Sequence, residues 1–188
     1  MFTDRDELEH HGAAAEAWWW WGQSADATVG LFVGLHVRGQ RFDYRAGLWR
    51  RGQPFVYIEE LGGTGRRAGL ELKPPEMWAD HMCDVPFGQW SVGNEAHGVL
   101  LDDPCDAVVR PYGTPVPVTF DIEWYAAGEA YSVQHGYEQA GEIDAVIELT
   151  EGDLRVQGPG RRLHVWGEGS WPDPLVMLTR AGWMPPTL

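Results

Sequence analysis

The sequence predicts an all-β protein, an antiparallel barrel or sandwich of about ten short strands preceded by a short N-terminal helix. Runs in which apolar and polar residues alternate follow one another at short intervals, and turn residues separate them. The clearest run is 118–124, where Val118, Phe120, Ile122 and Trp124 alternate with polar residues. Strand and helix patterns do not alternate along the chain, which argues against a doubly wound nucleotide-binding fold.

The N-terminal helix is predicted over residues 4–17, because Thr3 followed by Asp6 resembles a helix N-cap with a charged first turn. We therefore expect a helical or flexible segment over 1–17 and a single barrel domain over 18–188. The strands are expected at 29–37, 41–49, 54–61, 69–73, 76–83, 89–101, 118–124, 131–139, 142–150, 153–158, 161–167 and 174–179.

The charge balance restricts the partners of the protein. With 14 Lys and Arg against 28 Asp and Glu, the net charge is −14, which does not suit nucleic acid or an anionic membrane surface. No apolar run is long enough to span a bilayer, and the N-terminus lacks the pattern of a signal peptide. We expect a soluble, cytoplasmic protein in which Cys83 and Cys105 are reduced. A disulfide and a homodimer remain open alternatives.

The sequence contains 11 tryptophans, more than one apolar core needs. Aromatic side chains commonly line small-molecule sites, so this excess favours an internal cavity that binds a small apolar organic molecule. The alternative is strand packing that happens to use tryptophan.

Two predicted strands place polar and aromatic side chains together on one face. The groups are Arg162, His164 and Trp166 on one strand and His135, Tyr137 and Gln139 on the other. Histidine can move protons near neutral pH, although His164 could equally be a hydrogen-bonded packing residue. Glu138 is a further candidate acid. His135 and Glu138 lie three positions apart and point to opposite faces of a strand, so no metal site is expected.

The segments HGYEQAGEI (135–143) and GPGRRLHVWG (158–167), followed by Trp171, resemble the lipocalin-like superfamily of hydroxyneurosporene synthases, the carotenoid 1,2-hydratases. The tryptophan-rich opening at 18–22 and the segments 77–104 and 115–124 agree with it too. The resemblance implies a lipocalin-like β-barrel with an apolar cavity. The family's hydratases add water to an isoprenoid double bond without a redox cofactor, and structurally similar proteins act as cyclases.

The resemblance implies a cofactor-free lyase or isomerase, such as a cyclase, isomerase or hydratase, acting on an isoprenoid- or polyketide-like molecule. His164 and Trp166 match the family's HxW motif, and Tyr137, Glu138 and Gln139 match its YEQ motif. We expect His164, with Tyr137 or Glu138, to transfer the proton. The residues expected to bind substrate are Trp166, Arg162, Trp124, Trp20, His135 and Gln139.

The chain also departs from the family pattern. Leu163 and Val165 stand where the motif has Asp and Ser, and the hydratases are about twice as long. These departures favour a second hypothesis, a non-catalytic lipocalin-like carrier of apolar ligands. A structural subunit that binds a protein partner is a third.

Overall fold

A computed structural model describes residues 2–66 and 69–168 of the chain. Within them the chain forms a 3₁₀ helix at Asp4–Glu7, a one-turn α-helix α1 at Asp106–Val109, and ten strands. The strands are β1 (Ala15–Gln23), β2 (Val29–Arg38), β3 (Arg41–Arg50), β4 (Phe55–Gly63), β5 (Met77–Val85), β6 (Gln89–Leu101), β7 (Thr114–Ala126), β8 (Tyr131–Val133), β9 (Gly136–Leu149) and β10 (Leu154–Gly167).

The described strands are all paired antiparallel, and the sheet closes on itself because β10 pairs with both β9 and β1. The ring runs β1-β2-β3-β4-β6-β7-β9-β10. Among the described strands, β5 has β6 as its one strand partner and β8 has β9. β6 is shared along its length, since 99–101 pair with β4 and 89–96 pair with β5. The predicted all-β antiparallel barrel is therefore confirmed.

The tryptophan run in the middle of β1 shows how the alternation of a strand divides the fold into two apolar layers. Trp18 and Trp20 belong to the large cluster inside the barrel. Trp19 and Trp21 belong to a smaller cluster on the outer face, together with Phe32 and others. Consecutive tryptophans thus serve two separate packing surfaces, which a helix could not achieve with this spacing.

The barrel interior is filled largely by big side chains. Those of at most 2% exposure include Trp18, Trp20, Trp90, Trp124 and Tyr44. Close packing around Trp124 depends on a glycine in the neighbouring strand. A Cβ on Gly141 would lie 2.3 Å from the Trp124 ring, so glycine lets the indole lie directly across β9.

The predicted helix over 4–17 is wrong beyond Glu7. The chain becomes extended at Leu8, and Gly12 adopts a φ of 97° that interrupts any helix. Residues 15–17 instead pair with β10, and Glu16 and Ala17 also pair with β2 on the other side. Ladder hydrogen bonds on both edges override the helical preference of an alanine-rich segment.

Three strand predictions differ in detail. The segment 69–73 forms only single bridges, from Leu72 to Arg66 and to Ala79. The predicted strand 142–150 and the end of the predicted strand 131–139 form one continuous strand, β9. The predicted strands 153–158 and 161–167 likewise form one continuous strand, β10. The predicted strand 174–179 and Trp171 lie outside the described residues.

Both cysteines are free thiols, and burial raises the pKa of Cys83 to about 11. In the part of the chain that the structure describes, no helix has the length and apolar character to cross a membrane.

Candidate functional site

Two neighbouring strands, β9 and β10, place four polar side chains on the inner face of the barrel. Their register pairs Tyr137 with His164 and Gln139 with Arg162. All four side chains belong to residues at most 1% exposed. Leu163, which lies between Arg162 and His164, packs in the outer cluster. The alternation of two adjacent strands is therefore sufficient to gather these groups inside.

The first strand, β1, flanks β10 on its other side and completes the site. Trp18 is the register partner of His164, and Trp20 is the partner of Arg162. The Trp18 ring stacks on the His164 imidazole with centroids 4.7 Å apart. Glu16 lies two residues before Trp18 and only 3% exposed, so its carboxylate also reaches the inner face.

A continuous chain of hydrogen bonds links these residues. Tyr137 Oη lies 3.2 Å from His164 Nδ1, and His164 Nε2 lies 2.7 Å from Glu16 Oε1. His10 Nδ1 lies 2.7 Å from the same oxygen, and the His10 backbone N–H donates to Glu16 Oε2 at 2.9 Å. An ionised carboxylate can only accept, so both imidazoles donate to Glu16. In neutral His164 the remaining nitrogen, Nδ1, then accepts the Tyr137 hydroxyl proton.

Burial sets the protonation states of the two central groups. It lowers the pKa of His164 below its usual 6.5, although the hydrogen bond and charge of Glu16 act in the opposite direction. Burial also raises the pKa of Tyr137 well above its ordinary value. At neutral pH His164 is therefore a neutral base next to a protonated phenol. Perturbed groups in mutual contact are typical of sites that transfer protons.

The Arg162 guanidinium lies beside this chain of hydrogen bonds, and acceptor atoms and aromatic rings surround it. Its Nη2 and Nε donate to Gln139 Oε1 at 2.8 and 3.1 Å, and its Nη1 donates to Tyr137 Oη at 3.2 Å. Nη1 and Nη2 also form a two-point ion pair with the Glu7 carboxylate. The Trp124 and Tyr137 rings each lie 5.0 Å from the guanidinium carbon, within cation–π range.

Residues 2–14, named here the N-terminal cover, close this end of the barrel. The Phe2 ring lies 4.9 Å from that of Tyr137. Glu7 contributes its carboxylate, and the His10 ring stacks on Trp166 at 3.9 Å. Tyr137 and His164 have no exposed surface, so the cover has to move before a molecule can reach them from this end of the barrel.

The structure places the remaining predicted residues in four different environments. Trp20 and Trp124 lie in the interior, and Trp166 lies half-buried at the rim. His135 is exposed in the turn before β9, with a φ of 67°. Glu138 points to the outer face, where it accepts a hydrogen bond from Arg161. Neither His135 nor Glu138 joins the interior group.

Sequence reasoning missed three members of the site, Glu7, His10 and Glu16. The alternation of β1 indicates that Glu16 lies on the same face as Trp18 and Trp20, but this follows only if the strand begins at Ala15. Glu7 is separated from Arg162 by 155 positions, and nothing in its local sequence indicates that contact.

Several polar atoms inside the barrel have no hydrogen-bond partner among the described residues. They are the indole nitrogens of Trp18, Trp20 and Trp124 and the Nε2 of His81. A buried polar group without a partner costs about 1–3 kcal/mol, so native proteins keep few of them. These three donors and one acceptor are available to a polar group of a ligand or to water.

The pH dependence of stability tests the burial of His81. Its Nδ1 lies 3.0 Å from the Leu70 carbonyl, and burial lowers its pKa to about 4 from the ordinary 6.5. The unfolded chain therefore binds a proton in this range that the folded chain excludes. We expect the free energy of unfolding to fall by roughly 3 kcal/mol between about pH 7 and 4 from this residue. Urea titrations of the wild type and His81→Gln measure it; equal slopes with pH would contradict it.

The surface carries a groove of about 390 Å³ at a different place. Its walls come from β5, β6 and β7, and Glu76, Glu95 and His97 line it with exposed side chains. None of the predicted site residues takes part in it.

His10, Glu16 and His164 could hold a metal ion, since their ligand atoms lie within 4.8 Å of one another. The distances of 2.7 Å from His10 Nδ1 and from His164 Nε2 to Glu16 Oε1 are also those of charge-assisted hydrogen bonds. Hydrogen bonds to Glu16 therefore account for both nitrogens in this structure. The predicted lack of a metal site stays a prediction.

Comparison of the chain with protein-family models, with curated proteins and with solved structures finds no match. The resemblance to hydroxyneurosporene synthases stays a prediction based on the quoted segments.

Proposed function

We propose that this protein is a cofactor-free acid–base enzyme of the lyase or isomerase type. Its substrate would be an apolar isoprenoid- or polyketide-like small molecule bound at the aromatic end of the barrel that the N-terminal cover closes, in the space that opens when the cover moves. The observation that carries the proposal is the buried chain Tyr137–His164–Glu16, with contacts of 3.2 and 2.7 Å. A base oriented by a carboxylate and bonded to a hydroxyl is the arrangement used to move a proton.

The proposed step begins with removal of a proton from a substrate carbon. Tyr137 Oη takes that proton while its own proton moves to His164 Nδ1. The imidazolium that forms is stabilised by the Glu16 carboxylate, and the Arg162 Nη1 donor remains on the Tyr137 oxygen. Both protons then move back, with delivery to a different carbon, so that the double bond shifts and no proton is gained or lost. Burial of these groups strengthens each of these interactions.

The aromatic surroundings support the choice of an apolar substrate. Trp18 and Trp20 lie on the wall formed by β1, and Trp90 and Trp124 lie on β6 and β7. Aromatic side chains of this kind are the usual lining of sites that bind apolar molecules. The unpartnered indole N–H groups of Trp18, Trp20 and Trp124 offer donors to an oxygen of the same molecule.

The second candidate is a non-catalytic carrier of apolar ligands. The same unpartnered indole groups favour it, because binding alone would use them. Under this alternative, the Tyr137–His164–Glu16 chain would be a fully hydrogen-bonded part of the core.

Native mass spectrometry of the purified protein, followed by extraction and identification of any bound compound, distinguishes the candidates. The identified compound is then incubated with the protein in D₂O. We expect a rearranged or hydrated product if the protein is an enzyme, with carbon-bound deuterium to the extent that the proton held by Tyr137 exchanges with solvent before it is delivered. Recovery of the unaltered, unlabelled compound would establish a carrier. An empty protein that also binds no member of a panel of terpenoids and polyketides would contradict both candidates.

A further inference from the structure

We propose that the groups around Arg162 form a binding site for a carboxylate, and that Glu7 occupies this site as an internal ligand when the N-terminal cover is closed. The substrate or cargo would then be an apolar monocarboxylic acid. This inference rests on the proposed function, since it names the chemical class of the molecule that enters the same interior.

Both oxygens of the Glu7 carboxylate accept hydrogen bonds from the barrel, as the oxygens of a bound ligand would. Its Oε1 accepts from the Phe87 backbone N–H at 2.7 Å and from Arg162 Nη2. Its Oε2 accepts from Arg162 Nη1 at 2.8 Å and from the Trp90 indole at 3.1 Å. Two-point pairing with arginine is the strongest recognition of a carboxylate that side chains provide. All the donors belong to the barrel, and only the acceptor belongs to the cover.

The donors are held in place by contacts that do not involve Glu7. The Gln139 amide donates to the carbonyls of Phe87 and Gly128 at 3.0 and 2.8 Å, which turns its oxygen toward Arg162. Phe87 has a φ of 53°, uncommon for a bulky side chain, and this conformation accompanies the approach of its N–H to the site. The barrel therefore presents an organised receptor that would remain if Glu7 were withdrawn.

The cover is attached at few points. Within residues 2–14, Glu7 is buried and the other residues are exposed or half-buried. Its other anchors are the Phe2 ring against Tyr137, the Glu9–Arg66 ion pair at 2.7 Å, and the contacts of His10 with Glu16 and Trp166. A segment with few buried apolar contacts can open locally while the barrel stays folded.

Charge selects the class of molecule that can replace Glu7. Arg162 is 1% exposed, and an unpaired buried charge is strongly unfavourable. A monocarboxylate exchanges one anion for another, whereas a neutral ligand would leave the guanidinium uncompensated. The apolar body of the acid would take the place of Phe2 against Tyr137 and Phe87.

The same geometry indicates which carbon reacts. Glu7 Oε2 and Tyr137 Oη accept from the same nitrogen, Arg162 Nη1, at 2.8 and 3.2 Å. A substrate carboxylate in this position would bring the carbons adjacent to it next to the Tyr137 oxygen. The proton transferred would then come from a carbon close to the acid group.

Binding of geranate and geraniol, an acid and an alcohol with the same isoprenoid chain, tests the inference by isothermal titration calorimetry. We expect wild-type protein to bind geranate weakly, because Glu7 competes, and Glu7→Ala to bind it roughly tenfold or more tighter. Glu7→Ala should also prefer geranate to geraniol by at least about tenfold, and adding Arg162→Met should abolish that preference. Glu138→Ala, which removes a glutamate paired with Arg161 on the outer face, is the matched control and should behave as wild type. Glu7→Ala binding the two probes equally, or neither, would overturn the inference.

Amide hydrogen exchange on wild-type protein keeps the test decisive if Glu7→Ala does not fold. Geranate should accelerate exchange in residues 2–14, and geraniol at the same concentration should not. Unchanged exchange with both would reject the internal-ligand role. The proposed function fails separately: geranate-selective binding without product formation leaves a carrier of acids, whereas turnover of a neutral compound without acid selectivity removes only the carboxylate site.

Discussion

Glu7→Ala is expected to lower the free energy of unfolding by about 3–5 kcal/mol, because it leaves the Arg162 charge buried without its partner. Arg162 lies in the middle of β10 and cannot reach water while the barrel stays closed. In its ion pair with Glu7, the Arg162 side chain is 1% exposed and the Glu7 side chain 0%. Urea unfolding at neutral pH, in a buffer free of carboxylates, measures the loss.

The reciprocal variant Arg162→Met should cost less. Glu7 lies on the cover, which can carry an unpaired carboxylate into water by detaching from the barrel end. The double variant Glu7→Ala/Arg162→Met should recover much of the stability lost in Glu7→Ala, giving a coupling free energy of roughly 2 kcal/mol or more. The asymmetry between the two single variants is the signature of a pair that joins a fixed strand to a movable segment.

The outer pair Glu138–Arg161 provides the control. Its side chains are 17% and 47% exposed, so its removal should change stability by no more than about 1 kcal/mol. If the Glu7–Arg162 pair proved as weak as this surface pair, the buried charge would have to be solvated and the closed end of the barrel would be open to water.

Period-two alternation accounts for much of what the sequence could predict. It placed Arg162 and His164 on one face and Tyr137 and Gln139 on another, and the antiparallel register then joins the two faces inside the barrel. Alternation also separates Glu138 from Tyr137 and Gln139, although all three belong to one short motif. Which of the two faces is internal depends on how the sheet closes, and the motif alone does not contain that information.

The contributions of the N-terminus could not be predicted by the same reasoning. Residues 15–17 look helical in isolation, and only their pairing with strands at both ends of the chain makes them part of β1. Glu7 depends on a contact with Arg162 across 155 positions. Local patterns report which face a side chain takes, but not which distant segment covers that face.

Replacing His164 is expected to have the largest effect on turnover. His164→Ala should reduce the rate of product formation by about a hundredfold or more, since it removes the group that accepts the Tyr137 proton. Binding of the compound identified by mass spectrometry should persist, because the aromatic wall remains. His97→Ala, an exposed histidine in β6, is the control and should retain wild-type turnover. A His164→Ala protein with undiminished turnover would exclude His164 from the proton transfer.

The pH profile separates a chemical role of His164 from a packing role. Turnover requires neutral His164, so it should fall as the pH drops through the His164 pKa, which burial holds below 6.5. Glu16 raises that pKa through its hydrogen bond and its charge. Glu16→Gln keeps an acceptor oxygen but removes the charge, so the acidic limb of the profile should move to lower pH. The maximal rate should fall as well, because the neutral amide stabilises the imidazolium less. A residue that only supported packing would change the amount of folded protein without displacing this limb, and a limb that stays in place or moves upward would therefore count against proton transfer through His164.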